Sequence, residues 1–205
     1  MTRLWSILIG YIFGNLLFAM IIGHFFLKKD PTKFGSGNPG TANMGAVFGK
    51  KWGILTCIGD LSKTAIALLI VHFAFPGELN LAYAGLGLIL GHCFPILDHF
   101  KGGKGVAVAA LLTVVYDWKA GLITLLIALF LVIVMKNLTI PPLVFMILFS
   151  IDATIHSVEA GIIFWIITAI MCFQFRHDII DFFSGNGKRV DILVTLKKKL
   201  GVKQR

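Results

Sequence analysis

The segment that organises this chain reads Phe100-Lys-Gly-Gly-Lys-Gly-Val106, and it lies between two apolar segments. Its glycines allow backbone angles that other residues avoid, and they leave backbone N–H groups accessible. Two lysines add positive charge to those donors, a combination that suits a phosphate group. The apolar run from Val106 to Tyr116 follows directly, so we expect the loop to open a helix whose positive end faces the anion. The plainer alternative is a tight turn whose lysines lie at a membrane edge.

Composition indicates an integral membrane protein. Of the 205 residues, 57% are hydrophobic and 14% are charged, and the mean hydropathy is +0.87. A soluble domain of this size does not need so much apolar surface. The first apolar run lacks a small-residue cleavage site, so we interpret it as a retained span. The cysteines at 57, 93 and 172 are odd in number and lie in apolar segments, which favours buried packing over disulfides.

The apolar runs predict an all-α bundle of about seven membrane spans. They cover residues 4–27, 52–75, 81–97, 105–116, 120–135, 142–151 and 158–175. A helix needs about 20 residues to cross the hydrocarbon, so the runs at 105–116 and 142–151 are too short. Either they are re-entrant, which leaves five full crossings, or the loops before them sink into the bilayer and line a polar recess. We expect the second arrangement.

The distribution of charge predicts the topology. If the chain alternates sides, most of its 19 basic residues fall on one side, including those between Lys188 and Arg205. The positive-inside rule makes that side cytoplasmic, with the N-terminus outside and the C-terminus inside. We therefore interpret the net charge of +9 as a topology signal and a contact with anionic lipid, not as a nucleic-acid site. The expected division is a membrane domain at 1–187 and a basic cytoplasmic tail at 188–205.

A second polar loop occupies residues 35–43, with the sequence Gly-Ser-Gly-Asn-Pro-Gly-Thr-Ala-Asn. Hydroxyls, amides and glycines dominate it, and no acidic residue occurs between Pro31 and Gly59. Such a loop could form a second anion site. Its candidate contacts are Ser36, Gly37, Asn38, Gly40 and Asn43. An ordinary polar turn is the alternative.

Polar residues at the ends of the spans, or within them, complete the set of candidates. Asp60 and Lys63 lie three apart on one helical face, and intramembrane charges usually pair or line a cavity. His92 precedes a proline break, where it could orient the lysine loop, contact a ligand or cap a helix. Thr139 marks another cytoplasmic turn. His177 ends the last span and is the best-placed group for proton transfer, with a basic membrane anchor as the alternative.

Taken together, these motifs resemble the PlsY family of bacterial membrane acyltransferases. The resemblance follows the order and spacing of Gly35–Asn43, Asp60–Lys63, Gly91–Pro95 with Phe100–Ala107, and Arg176-His177. It implies a fold of seven helices in the inner (plasma) membrane, with the motifs at the cytoplasmic face. It also implies transfer of a fatty acyl group from acyl phosphate to the 1-hydroxyl of sn-glycerol 3-phosphate. The products would be lysophosphatidic acid and phosphate, in the first step of bacterial phospholipid synthesis.

The resemblance and the chemistry together suggest roles for the candidates. A substrate phosphate would be held by Lys101 and Lys104 with the N–H groups of Gly102, Gly103 and Gly105. The other phosphate, or the transferring carbonyl, would contact the 35–43 loop, and His92 and Thr139 would line the site. His177 or a substrate phosphate oxygen would accept the hydroxyl proton. The expected catalytic residues are Lys104, His177 and Ser36.

The expected partners are the two substrates, anionic lipid and the enzyme that forms acyl phosphate. We expect no cofactor, because no motif requires one. We expect no metal, because no pair of histidines shares a helical face with a carboxylate at ligand spacing.

The chain departs from the family pattern in ways that leave alternatives open. The family reads Gly-Ala-Thr-Asn at residues 40–43, and a family arginine is replaced by Ala46. Family positions for asparagine, arginine and glutamate are occupied by Ile180, Phe183 and Arg189. A paralogue with another phosphorylated acceptor is therefore one alternative. A transporter or channel for a phosphorylated solute or lipid is another, although no internal repeat supports it.

Overall fold

The computed structural model describes residues 1–187, in which all the regular secondary structure is helical and no strand occurs. A π-helical turn, Gly23–Leu27, and a 3-10 turn, Pro31–Lys33, lie between the second and third helices. The helices are α1 (Thr2–Gly14), α2 (Phe18–Ile22), α3 (Thr41–Val47), α4 (Lys50–Ala74), α5 (Glu78–Cys93), α6 (Val106–Tyr116), α7 (Trp118–Met135), α8 (Ile140–His156), α9 (Val158–Gln174) and α10 (Arg176–Phe183). The predicted basic tail lies outside the described residues.

Each of the seven apolar runs contains helix, although the run at 4–27 breaks between α1 and α2 and the run at 81–97 leaves the helix after Cys93. In the described part of the chain, three helical segments are long and apolar enough to cross a membrane: Thr2–Leu27, Lys50–Ala74 and Trp118–Met135. A fourth is counted if α9 and α10, which bend by 64°, form one span. The total number of crossings stays a prediction.

Both runs predicted to be too short form helices that are shorter than a full span. Helix α6 has 11 residues and is about 16 Å long. Helix α8 has 17 residues, so it is longer than the predicted 142–151 but is also one of the shorter apolar helices. Its bounds differ because Pro141 and Pro142 are tolerated in a first helical turn, and because the helix continues through Asp152 to His156.

Helices α1 and α5 pack backbone to backbone through glycines spaced four apart. A Cβ atom at Gly10 would lie 2.1 Å from the carbonyl oxygen of Ala84, and one at Gly91 would lie 2.4 Å from that of Tyr11. Small residues at this spacing let membrane helices approach closely. The four glycines are Gly10, Gly14, Gly87 and Gly91. Contacts advance in the same direction along both helices, so α1 and α5 are parallel, as first and third spans of an alternating chain should be.

Two side chains near the break between α1 and α2 hold the segment that follows the end of α5. The Asn15 side chain donates to the carbonyl oxygen of Tyr11 at 2.7 Å and accepts from the N–H of Ile96 at 2.7 Å. The Tyr11 hydroxyl donates to the carbonyl oxygen of Phe94 at 2.9 Å. These bonds satisfy backbone groups at two helix ends that would otherwise be unpaired. They therefore position the segment that leads into the glycine-rich loop.

Candidate active site

The loop at residues 102–105 follows a path that requires glycine at positions 102, 103 and 105. Gly105 has a φ angle of +78° and precedes the first turn of α6. A Cβ atom at Gly102 would lie 2.1 Å from the His92 carbonyl oxygen, and one at Gly103 would lie 2.3 Å from His92 Nε2. The loop therefore packs directly against the end of α5, with no room for a side chain at either position.

The backbone donors of this loop differ in availability. The Gly103 N–H donates to the carbonyl oxygen of His92 at 2.9 Å, and the Lys101 N–H donates to that of Asp98 at 3.0 Å. The prediction that the Gly103 N–H contacts phosphate is therefore corrected, because this N–H already has an acceptor. Within residues 1–187, the N–H groups of Gly102 and Gly105 have no acceptor, so they are the unpaired backbone donors of this loop.

The charge of Lys104 is balanced by helix α10. Its Nζ lies 2.6 Å from Asp178 Oδ2 and 4.7 Å from the centre of the Phe175 ring. The Gln174 side chain donates to the carbonyl oxygen of Cys93 at 2.7 Å, which holds the end of α9 against the end of α5. Sequence reasoning missed the Lys104–Asp178 pair. The available signal was an acidic residue beside His177 at a basic face.

Asn43 uses both ends of its amide to close the 35–43 loop. Its Oδ1 accepts from the Ser36 N–H at 2.9 Å. Its Nδ2 donates to the carbonyl oxygens of Pro31 at 3.2 Å and Phe34 at 3.1 Å. The residue is 5% exposed. This geometry makes Asn43 a residue that shapes the loop, and its contact with substrate stays a prediction.

Other groups of the 35–43 loop remain accessible. Gly37 has a φ angle of +71° and its N–H donates to the Phe34 carbonyl oxygen at 3.0 Å. The Gly40 N–H donates to the Asn38 carbonyl oxygen at 2.9 Å, so neither glycine offers a free donor. The Ser36 hydroxyl is exposed and accepts a 3.4 Å hydrogen bond from the Asn38 N–H. Ser36 and the Asn38 amide are therefore the loop's candidate ligand groups.

The segments leading into the two loops meet at the same end of the bundle. Asp98 precedes the glycine-rich loop and lines a cavity of about 150 Å³ together with His24. Burial raises the pKa of Asp98. The nearby charge of His24 lowers this pKa, and that of Asp30 raises it. Asp30 begins the turn that leads into the 35–43 loop, where hydrogen bonds from Thr32 lower its pKa. No hydrogen bond joins residues 35–43 directly to 101–105 among the described residues.

His177 and Thr139 have different surroundings. His177 is exposed on α10, next to the Asp178 that pairs with Lys104. Thr139 is buried, and its N–H donates to Asn137 Oδ1 at 2.7 Å at the start of α8. The Ile140 N–H donates to the same oxygen at 3.0 Å. Asn137 therefore caps α8, and the described contacts bring Thr139 to neither loop.

A buried ionic cluster supports the glycine-rich loop from behind. Lys63 Nζ lies 3.1 Å from Asp60 Oδ1, which confirms the predicted pairing, and 3.0 Å from His92 Nδ1. The other side of His92 packs against Gly103. His92 thus orients the loop, one of the roles expected for it. Within the described part of the chain, no group of three His, Cys, Asp or Glu residues could hold a metal ion.

Comparisons with known proteins identify the family to which this chain is related. A family model described as glycerol-3-phosphate acyltransferase matches residues 4–185. Glycerol-3-phosphate acyltransferase 1 of Lactobacillus acidophilus is 68% identical over 99% of both chains. That of Lactobacillus johnsonii is 68% identical over 98% of this chain and 99% of its own.

Solved structures are similar over nearly the whole chain. A crystal structure of PlsY, an integral membrane glycerol 3-phosphate acyltransferase in its glycerol 3-phosphate form, has a TM-score of 0.84 and 26% identity. The match covers 96% of this chain and 99% of that one. The lysophosphatidic acid form has a TM-score of 0.80 and covers 92% and 95% of the two chains.

These findings define the class of protein as an integral membrane acyltransferase with an all-helical fold. More narrowly, the chain belongs to the glycerol-3-phosphate acyltransferase family. The resemblance to PlsY drawn from the motifs is thereby confirmed.

Proposed function

We propose that this protein transfers a fatty acyl group from acyl phosphate to the 1-hydroxyl of sn-glycerol 3-phosphate. The products are lysophosphatidic acid and inorganic phosphate. The observation that carries the proposal is the family match over residues 4–185, together with the likeness to PlsY in its glycerol 3-phosphate form. The lysines and free N–H groups at the start of α6 are suited to the phosphates that this reaction requires.

The reaction asks the protein to bring two anions together. The acceptor hydroxyl oxygen attacks the acyl carbonyl carbon, and the bond between that carbon and the phosphate oxygen breaks. The phosphate leaves with the electron pair, and the hydroxyl proton passes to a base. Fixed cations and N–H donors in a site with little water stabilise the negative charge. Holding both reactants in contact can lower the barrier by about 7–11 kcal/mol.

Lys104 is the main cation in this proposal. Its side chain is half-buried, and the residue lies two positions before the start of α6, in the same loop as Gly102 and Gly105. A substrate phosphate that binds Lys104 competes with the Asp178 carboxylate for the same ammonium group. Lys101 is exposed and adds longer-range attraction for anionic substrates.

The 35–43 loop and α10 supply the remaining groups. The Ser36 hydroxyl and the Asn38 amide contact the second phosphate or the transferring carbonyl. His177 accepts the hydroxyl proton, with a substrate phosphate oxygen as the alternative base. Its exposure and its position beside Asp178 leave its ring accessible to a bound substrate.

The proposed setting is the inner (plasma) membrane of a bacterium, with the active site facing the cytoplasm. The acyl chain lies between spans and is open to lipid, so the donor can arrive through the membrane. The enzyme that forms acyl phosphate is the proposed partner, because it must deliver a membrane-bound substrate. Basic residues near the membrane surface attract anionic lipid headgroups.

A product assay tests the proposal directly. Purified protein in liposomes is incubated with acyl phosphate and glycerol 3-phosphate, and inorganic phosphate and lysophosphatidic acid are measured. We expect both in equal amounts. A panel of other phosphorylated polyols tests the acceptor, since Ala46 is exposed on α3 where the family has an arginine. A faster rate with another polyol would identify a paralogue, and uptake of glycerol 3-phosphate without phosphate release would identify a transporter.

Lys104→Met tests the site assignment in the same assay. Loss of a fixed charge that stabilises the transition state costs about 100-fold in turnover, and we expect a loss of this size. Lys119→Met is the matched control, because Lys119 begins α7 at the opposite end of α6 and its Nζ lies over the Trp118 ring. Equal activity of the two variants would contradict the assignment.

A further inference from the structure

Lys63 has a complete set of hydrogen-bond acceptors deep in the bundle. Its ammonium group donates to the carbonyl oxygens of Gly14 at 3.0 Å and Leu16 at 2.8 Å, and it lies 3.0 Å from His92 Nδ1. Asp60 Oδ1 is 3.1 Å from Nζ, but the contact lacks hydrogen-bond geometry. The three ammonium protons therefore go to Gly14, Leu16 and His92, and Asp60 supplies the balancing charge.

This arrangement fixes the tautomer of His92. An ammonium group can only donate, so the Nδ1 atom that faces Lys63 must accept. The proton of a neutral imidazole is then on Nε2, because the bond at one ring nitrogen decides the state of the other. The opposite tautomer would direct an N–H group at the ammonium of Lys63.

The resulting Nε2–H group is directed at the glycine-rich loop. A Cβ atom at Gly103 would lie 2.3 Å from Nε2. His92 is 4% exposed, and its Nε2 has no hydrogen-bond partner among residues 1–187. Among the described residues, Asp60 Oδ1 is the only fully enclosed side-chain N or O atom without a hydrogen-bond partner, so Nε2 keeps access to an acceptor from outside the protein. Because Nε2 faces Gly103 of the glycine-rich loop, the acceptor that fits this position is a ligand of the loop.

We propose that Lys63 is a positioning residue that fixes His92 in its Nε2–H tautomer, and that this N–H donates to a substrate phosphate at residues 102–105. The inference rests on the function proposed above. It assigns His92 to binding and not to proton transfer, because the phosphate accepts a hydrogen bond and takes no proton. It also gives the intramembrane Asp60–Lys63 pair a role in the reaction.

The tautomer can be measured in the native protein. Full-length protein with ¹⁵N-labelled histidine is observed by NMR in micelles, and the His92 signals are assigned as those lost in His92→Gln. We expect an acceptor-type shift for Nδ1 and an N–H signal for Nε2 that moves when glycerol 3-phosphate or inorganic phosphate is added. An Nδ1–H tautomer, or an Nε2–H signal that neither anion moves, would overturn the proposal.

Paired variants then separate positioning from folding. Native protein is compared with Asp60→Asn/Lys63→Met, which removes the ammonium group together with its balancing carboxylate and so leaves no unpaired buried charge. We expect the double variant to have at least a tenfold higher KM than native protein for the substrate whose phosphate the loop binds. Separate titration of the two substrates shows which one this is. An unchanged KM for both substrates would contradict the inference.

A rescue variant excludes a purely structural role for Lys63. His92→Gln places an amide N–H near the position of Nε2 and does not need Lys63 to set a tautomer. Adding His92→Gln to the double variant should therefore restore KM to the value of His92→Gln alone. Thr56→Val, a buried polar replacement on the same helix, should leave KM unchanged.

Absence of rescue would mean that Lys63 acts only through Gly14 and Leu16, and the proposal would fail. The product assay with native protein keeps the two proposals apart. Native protein without turnover refutes the proposed function, whereas active native protein without rescue refutes only the role of Lys63.

Discussion

The two loops of the candidate site are stabilised in different ways. The 35–43 loop is closed by Asn43, whose three hydrogen-bond partners all lie between Pro31 and Ser36. The 102–105 loop is held by other helices of the bundle: by His92 at the end of α5 and by Asp178 of α10, with Lys63 of α4 behind His92. The first loop is thus shaped by its own segment, whereas the second depends on the assembled bundle.

This difference has consequences for function. A loop fixed by packed helices presents its donors at defined positions, which favours binding of a charge that must be stabilised in the transition state. A loop closed by one amide can adjust more easily around its ligand. We therefore expect substitutions at 102–105 to lower turnover most, and substitutions at 35–43 to act mainly on binding.

Gly103→Ala should have the largest effect. Its Cβ atom would lie 2.3 Å from Nε2 of a His92 ring that Lys63 holds in place, so the loop must move and its donors lose their alignment. We expect kcat to fall at least about 100-fold, measured as phosphate release. Gly45→Ala is the control, since its Cβ atom would lie 3.7 Å from the nearest atom, Cα of Gly53. Near-native kcat for Gly103→Ala would contradict the account of a rigid loop.

Asn43→Ala should have an intermediate effect. It leaves the Ser36 N–H without an acceptor and removes the hydrogen bonds to the carbonyl oxygens of Pro31 and Phe34, at a cost of about 1–3 kcal/mol to the loop. We expect KM for one substrate to rise about tenfold with a smaller change in kcat, measured by titrating each substrate. Asn186→Ala, at an exposed position on the same chain, provides the control. A fall in kcat as large as that of Gly103→Ala would remove the distinction between the loops.

Asp178→Asn should have the smallest effect, and it should strengthen the binding of a substrate instead of weakening it. The carboxylate competes with substrate phosphate for Lys104, and the pair is partly exposed. Exposed ion pairs are worth about 0.2–1 kcal/mol, so we expect KM for one phosphorylated substrate to fall by about two- to fivefold. The change should shrink at high salt, because screening weakens the competing pair. A higher KM would mean that Asp178 positions Lys104 instead of competing for it.

Local features of the fold were accessible from sequence, and contacts between distant segments were not. Apolar runs identified the long helices among the described residues, and a spacing of three identified the Asp60–Lys63 pair. Helix α3 was missed because its seven residues lie within a polar, glycine-containing loop. Helix α10 was missed because it is short and polar. Neither has an apolar run that periodicity could detect.

The candidate site shows the same division between local features and contacts of distant segments. Glycines and lysines at 101–105 identified an anion-binding loop, but composition does not show which N–H groups already have acceptors. The Gly103 N–H and the Asn43 amide are used internally, and the Lys104–Asp178 pair joins positions 74 residues apart. Such contacts depend on how α5, α9 and α10 pack, which no local pattern determines.

The most direct test of the account is a structure of the protein with glycerol 3-phosphate and a non-hydrolysable acyl phosphonate bound together. We expect one of the two groups, the phosphate or the phosphonate, to lie within hydrogen-bond distance of Lys104 Nζ, the Gly102 N–H and His92 Nε2. We expect the other to lie against Ser36 and Asn38, with the hydroxyl and acyl carbon in contact. Both anions at one loop, or loops too far apart to share one cavity, would contradict the account.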